Sequence, residues 1–516
     1  MPLISGLGTV GIIKDQPSYT LPPNAWSDGQ NVRMAEGSVE KFTGHRQAVG
    51  TPSAAPYFVL PVKTATAAYW IYAGTTNVYI TDGTTHKTIT RASGTYSADA
   101  NSNPWTGGVM GGKVYLNNGT DVPQQWATID FATPTLLTDL TNWPSTSPVT
   151  SCKALGSFKQ FMIAMNTKLG ATLYPRMVKW SHASAFNTIP SSWDETSAIL
   201  DAGEYELADT EGDLLNGFQL RDSFMLYKED SIWGMNYIGT PFIWRFFEVT
   251  RSFGALGKHS IAEFEGGHFV FGTNDCMVVD GQNIRSITTE RIRKHIYNSM
   301  DATYYSNSFV VPNHEKSEIW ICFPVSGSTF PNQAVVWNWK TNTFGVRDLP
   351  VTPYIGFGIV NPGDALDWTD SGDWDDDDMT WDERVYNPAK YRLILADKSN
   401  TKLQLLDTEG QFDAVNYTSY IERTGLHYDD PTLLKLCTGV SLNMESTGDV
   451  NVYVGTHSST EGSVTWEGPF VFNPDTGHKI DCLVTGRYLA LKIESVNKIR
   501  WKLHSYEMKI TTLGTN

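Results

Sequence analysis

Asn77 to Thr84 reads NVYITDGT and Lys113 to Thr120 reads KVYLNNGT, and these two strings decide the fold class. In each, aromatic and β-branched residues run into Asp-Gly or Asn-Gly, dipeptides that tolerate the positive φ of tight hairpin turns. Cys276 to Gln282, CMVVDGQ, repeats the pattern. Similar strand-and-turn pairs begin near Ala67, Gly107, Leu155, Gln219, Phe264 and Pro312, at intervals of 40 to 64 residues. Repeats of ~40–50 residues with several strands each are the signature of β-propeller blades. A run of β-sandwiches repeats hairpins on a similar scale and is the competing reading. The expected fold is all-β: a β-propeller core with an additional C-terminal β-sandwich-like module.

Composition agrees with this reading. The chain has 516 residues, enough for several domains. Only 18% of them are charged, whereas aromatics reach 12% and Gly numbers 44, as short strands joined by tight turns require. The expected organisation is an N-terminal extended segment and hairpin over 1–60 that closes or braces the propeller, and blades over 61–360. An acidic insertion with further hairpins follows over 361–435, and a β module over 436–516. One amphipathic helix is expected over Thr289–Met300 (TERIRKHIYNSM), with Ile292 and Ile296 on one face.

The net charge of −16 offers no basic footprint for gripping phosphates, and the densest basic stretch is Arg285 to Lys294, read as a solvated face. Five widely spaced cysteines form no CxxC pair and suggest neither a disulfide framework nor a zinc site, but buried thiols made in a reducing cytoplasm. No signal peptide and no run of ~18 apolar residues is visible, so no membrane span is expected.

Each candidate for chemistry fails a motif test. Gly107 to Val114, GGVMGGKV, fits a phosphate loop up to its last position, where Val114 replaces the Ser or Thr that holds magnesium. It reads as a Gly-rich β-turn. His314-Glu315 lacks the second histidine of a zinc-peptidase pair, and no GxSxG or GxGxxG is present. From Asp364 to Glu383, ten of twenty residues are acidic. Asp373, Asp375 and Asp377 open like an EF-hand loop, but Asp378 stands where glycine is required and Arg384 where glutamate is. The expectation is therefore no enzyme, no cofactor and no metal site. A solvated insertion is the plain reading of the acidic run, and loose calcium binding the other.

Leu21 to Gly44, LPPNAWSDGQNVRMAEGSVEKFTG, carries a more specific signal. It resembles the opening signature of the tail nozzle proteins of short-tailed bacteriophages, also called tail tubular protein B or packaged-DNA stabilisation proteins. The matching positions are Leu21, Pro22, Pro23, Ala25, Trp26, Ser27, Asp28, Gly29, Asn31, Val32 and Arg33, then Gly37, Lys41 and Gly44. Arg176 to Trp193 is similar to the family's strand leading to a distant Trp. Val335 to Pro350 is similar to another of its segments, through Trp337, Asn338, Trp339, Arg347 and Pro350, with Phe344 where the family often has Trp. The insertion ending at Trp381-Asp382-Glu383 is also similar. The matches run from Leu21 to about Glu383, so the last quarter is least covered. In physical terms the motif is a corner: Pro22-Pro23 a stiff extended lead-in, Asp28-Gly29 and Glu36-Gly37 two turns around a strand over Asn31–Met34.

The resemblance implies a ring, usually of six copies, that conducts and retains double-stranded viral DNA without specific binding. Implied neighbours are a tail adaptor above and fibre or tip proteins, in a virion assembled in the host bacterial cytoplasm. Six copies at −16 each would carry −96, which weakens sticking of DNA to the wall. Asp373, Asp375, Asp376, Asp377 and Asp378 are candidates for a lumen or gate loop. The alternative is a receptor- or glycan-binding propeller at the tail tip, stacking sugars on Trp368, Trp374 and Trp381. A sialidase-like hydrolase would need an arginine cluster, a Tyr–Glu pair and repeated Asp-box turns, none of which stands out.

Overall fold

In a computed structural model the described residues are 3–514, except 65–66, 145–146, 282, 326, 361–390, 409, 429 and 461. Among the described residues, nearly all regular elements are antiparallel strands. Seven four-stranded units follow one another along it. Their innermost strands are Phe58–Lys63, Thr106–Met110, Ser151–Phe158, Leu214–Leu220, Ile261–Phe264, Phe309–Asn313 and Ile355–Ile359. We number them as blades one to seven.

Burial explains why the blades stand in a circle. Each adjacent pair shares its own apolar layer: Ile71, Trp105 and Leu116 between blades one and two; Leu140, Leu155 and Trp193 between two and three; Phe158, Phe224 and Trp244 between three and four. Tyr227, Ile232 and Val270 join four to five, Phe269, Ile319 and Trp337 join five to six, and Trp320, Phe309 and Leu395 join six to seven. Val59, Trp70 and Ile394 then join seven to one, where the Trp70 indole donates to Ile359 O at 3.0 Å. The circle is closed, a β-propeller.

Its closing strand comes from the other end of the chain. Blade seven consists of Ile355–Ile359, Tyr391–Asp397 and Lys402–Leu406, and His45–Val49 adds itself as the outermost strand. The hairpin Tyr391–Leu406 thus belongs to the propeller. Blade six is extended sideways. Its outer strand Thr343–Asp348 meets the hairpin Val32–Ala35/Ser38–Lys41, which passes the sheet on to Trp501–Gly514, Leu434–Ser446 and Lys479–Gly486. A second sheet, Asp28–Gln30, Ser419–Leu426, Tyr488–Ser495, Val450–His457 and Thr465–Phe472, packs on this extension through Val440, Val452, Leu491 and Leu503 to form the C-terminal sandwich. Period-two burial, as in Lys479–Gly486, marks these strands as half-buried.

The local signals resolve with some corrections. Asp82-Gly83 and Asp280-Gly281 do turn hairpins, but through four-residue connections, because the Asp82 carboxylate accepts from the N–H groups of Thr84 and Thr85 and widens the turn. The helix is shorter than expected, Arg293–Ser299. Glu290 lies at φ 61° and Ile292 at φ −143°, so the helix begins only at Arg293, while Ile292 and Ile296 both stay buried in one apolar cluster. The Gly-rich Gly107–Val114 joins two strands through Gly111-Gly112, both at positive φ, with no helix behind it. In the basic stretch Arg285, Arg293 and Lys294 are exposed, as expected of a solvated face, whereas Arg291 is half-buried and its guanidinium donates to Asn342 O at 2.9 Å.

Candidate functional site: the buried clasp between propeller and sandwich

The signature residues of Leu21–Gly44 meet blades six and seven and the sandwich in one buried junction. Pro22–Ala25 closes as a β-turn, with Ala25 N–H donating to Pro22 O at 3.0 Å and Pro23 at the position its fixed φ suits. This is a bend where an extended lead-in was expected. Leu21 and Ala25 pack with Ile13. Trp26 is fully buried, its indole donating to Leu7 O at 3.0 Å and its ring 6.0 Å from Tyr506. Ser27 Oγ donates to Glu422 O at 3.0 Å and accepts from Thr424 N–H.

Asp28-Gly29 is not a turn. Both residues lie in a strand paired with Glu422 and Ile421, and Gly29 is closely packed: a Cβ there would stand 2.7 Å from Ile421 Cδ1, which would have to move. The turn falls instead at Asn31, φ 56°, whose amide donates to Asp348 Oδ2 and Thr418 O, both at 2.8 Å. Val32 follows, fully buried against blade six, and Glu36-Gly37 turns the hairpin with φ 50° and 77°. Lys41 bridges to Asn497 O and lies 4.2 Å over the Tyr417 ring; burial lowers its pKa to about 8. Gly44 packs directly on Gln411.

At the centre is a charge cluster that no local pattern announces. Arg33 Nη2 donates to Glu318 Oε2 at 3.1 Å and to Asp407 Oδ2 at 2.8 Å, and its Nε lies 2.7 Å from Glu318 Oε1. Arg347 lies 3.4 Å from the same Asp407 carboxylate and over the rings of Trp320 and Phe42, at 4.9 and 5.2 Å. Burial works to raise the Asp407 pKa, but Arg33, Lys316 and Arg347 hold it well below the usual carboxylate range. Burial raises Glu318. His45, stacked on Phe412 at 4.6 Å, is pushed down to about 3 by burial and by Arg347, so it is neutral. Asp407, Glu318 and Tyr417 went unnoticed in the sequence, where each is an isolated polar residue in an ordinary strand or turn.

The second group also serves architecture. Trp337 fills the interface of blades five and six beside Phe264 and Phe269, and its indole donates to Asn342 Oδ1 at 3.0 Å. Asn338 Oδ1 caps the next turn by accepting from Lys340 and Thr341, Trp339 packs near His314, and Pro350 O accepts from Thr352. Trp193, the distant Trp, packs edge-on against Trp143 at 4.8 Å. Asp373, Asp375, Asp376, Asp377, Asp378, Trp368, Trp374 and Trp381 lie outside the described residues.

Among the described residues a cavity of about 450 Å³ lies on the propeller axis, bounded by Phe58, Gly107, Gly156, Gly217, Glu263 and Tyr354. That is the size of a small-molecule site. Duplex DNA cannot thread it. Among the described residues no three His, Cys, Asp or Glu side chains are gathered to hold a metal ion, and no helix is long and apolar enough to cross a membrane.

No family model matches the chain, and no curated protein matches it. Solved structures similar to it include the computationally designed Ika8 protein, at 9% identity and TM-score 0.35, covering 70% of this chain and 100% of that one. The CNH domain of AfRom2 is similar at 6% identity and TM-score 0.36, over 71% of this chain and 97% of that one. A candidate 6-phosphogluconolactonase from Bacteroides uniformis is similar at 11% and 0.38, over 69% and 90%.

Proposed function

We propose that this chain is a structural subunit of a short-tailed phage tail nozzle, assembled as a ring of six copies through which viral double-stranded DNA passes and is retained. The observation that carries the reading is the Leu21–Gly44 stretch. Its resemblance points to that family, and its polar side chains Ser27, Asn31, Arg33 and Lys41 are each committed to holding parts of the fold together. Such a use suits a load-carrying subunit and leaves none of these groups free for chemistry. Because the axial cavity is too small for a duplex, the conduit in this reading is the lumen between copies. The acidic balance of the chain favours passage without sticking. An adaptor would sit above the ring and fibre or tip proteins beside or below it, in a virion assembled in the bacterial cytoplasm.

Electron microscopy of the purified protein, alone and with its adaptor, tests this. A ring with an axial channel wide enough for duplex DNA is expected. A monomer that joins no tail complex overturns it, and specific binding of a glycan by that monomer would favour the tail-tip receptor reading instead.

A further inference from the structure

The C-terminal sandwich brings two cysteines together that the sequence keeps 45 residues apart. Cys437 lies in Leu434–Ser446 and Cys482 in the neighbouring strand Lys479–Gly486. The register slips between Cys437, opposite Val484, and Gly439, opposite Asp481. That bulge sets Cys482 diagonally beside Cys437, with the two Sγ atoms 3.7 Å apart. The remaining cysteines, Cys152, Cys276 and Cys322, are buried in three different blade interfaces.

Accessibility differs across the pair. Cys437 is fully enclosed, whereas Cys482 is 7% exposed and, among the described residues, sits on a strand paired on one side only. Edge strands fray locally at low cost, so a small reagent can reach Cys482 without unfolding of the sandwich. Closing the sulfurs from contact to the ~2.05 Å of a disulfide asks for side-chain rotation and a shift of the edge strand, not a rebuilt backbone.

We propose that Cys437 and Cys482 form a dithiol–disulfide site, reduced while the chain is made and joined once the protein meets a low-molecular-weight disulfide outside the reducing compartment. One cysteine, its proton lost to water, attacks a sulfur of the oxidant. The oxidant S–S bond breaks, and one small thiolate leaves. The second cysteine, likewise deprotonated, attacks the protein sulfur of the mixed disulfide and expels the other small thiolate. The two protein thiols give up two electrons and two protons, and the oxidant becomes two thiols. The new bond pins the edge strand to its neighbour and closes the loop between them, which restricts the unfolded chain.

The test uses the full-length protein treated with oxidised glutathione or with dithiothreitol, then alkylated in denaturant and mapped by mass spectrometry. Oxidation is expected to leave three of the five cysteines alkylated, with a peptide linked through 437 and 482, and to raise the unfolding temperature by several degrees. C482S is expected to abolish the link, and C322S, which changes a thiol remote from the pair, to leave it unchanged. Five alkylated cysteines after oxidation, a link to another cysteine, or a glutathione adduct that persists on Cys482 beside a free Cys437 would each overturn the proposal.

Discussion

Arg33, Arg347 and Asp407 show at the scale of single residues why a buried cluster couples distant parts of a chain. Two guanidiniums share one carboxylate away from water, so removing the carboxylate leaves positive charge buried and unpaired. Asp407→Asn is therefore expected to destabilise the fold by about 3–5 kcal/mol, read by urea denaturation. Arg33→Met combined with Asp407→Leu, which removes charge on both sides, should cost less than the sum of the single changes. Gly44→Ala tests the tightest backbone approach. Its Cβ would stand 1.7 Å from Gln411 O, so the strand entering blade seven must move, at a cost of about 1–3 kcal/mol or more. Arg33, Gly44 and Arg347 stand out in the sequence as signature positions, but their partners do not. Arg33 and Asp407 are 374 residues apart, and nothing in the neighbourhood of either marks it as a partner.

Closure of the propeller depends on one short strand. His45–Val49 pairs along its length with Lys402–Leu406, with one further bridge from His45 to Phe412, so a chain lacking residues 1–50 keeps three strands in blade seven and exposes a bare edge. Such a chain is expected to aggregate in size-exclusion chromatography and to be cut between blades seven and one in limited proteolysis, where the intact protein resists. The hairpins were readable at this scale because their turn chemistry is local, as at Asp82-Gly83. The misplaced turn at Asp28-Gly29 shows the limit of that reading. Asp-Gly there forms a strand because Ile421 and Ile12 press on the glycine from other elements, and tertiary packing overrides a dipeptide preference.

Over the whole molecule, burial also sets the response to acid. His45 is pushed down to about 3, His268 and His295 to about 4, and His259 well below its ordinary value, in each case first by burial. All four stay neutral in the fold but bind a proton when unfolded below about pH 6.5, so stability falls as pH drops from there toward their folded values. Each contributes at most about 1.4 kcal/mol per pH unit. Asp407, held low, adds a further loss below about pH 4, whereas Glu318 and Glu422, raised by burial, act in the opposite direction. Denaturation midpoints from pH 7 to 4 should decline, and His268→Gln should flatten the decline. The sequence by itself determined the all-β character, the repeat of hairpins and a sandwich-like C-terminal end, because alternation and turn residues act within a few positions of one another. Only the tertiary structure decided the number of blades, the strand that closes them and the cluster that clasps propeller to sandwich. Those depend on contacts between residues hundreds of positions apart, and such contacts follow from how whole layers bury their apolar faces.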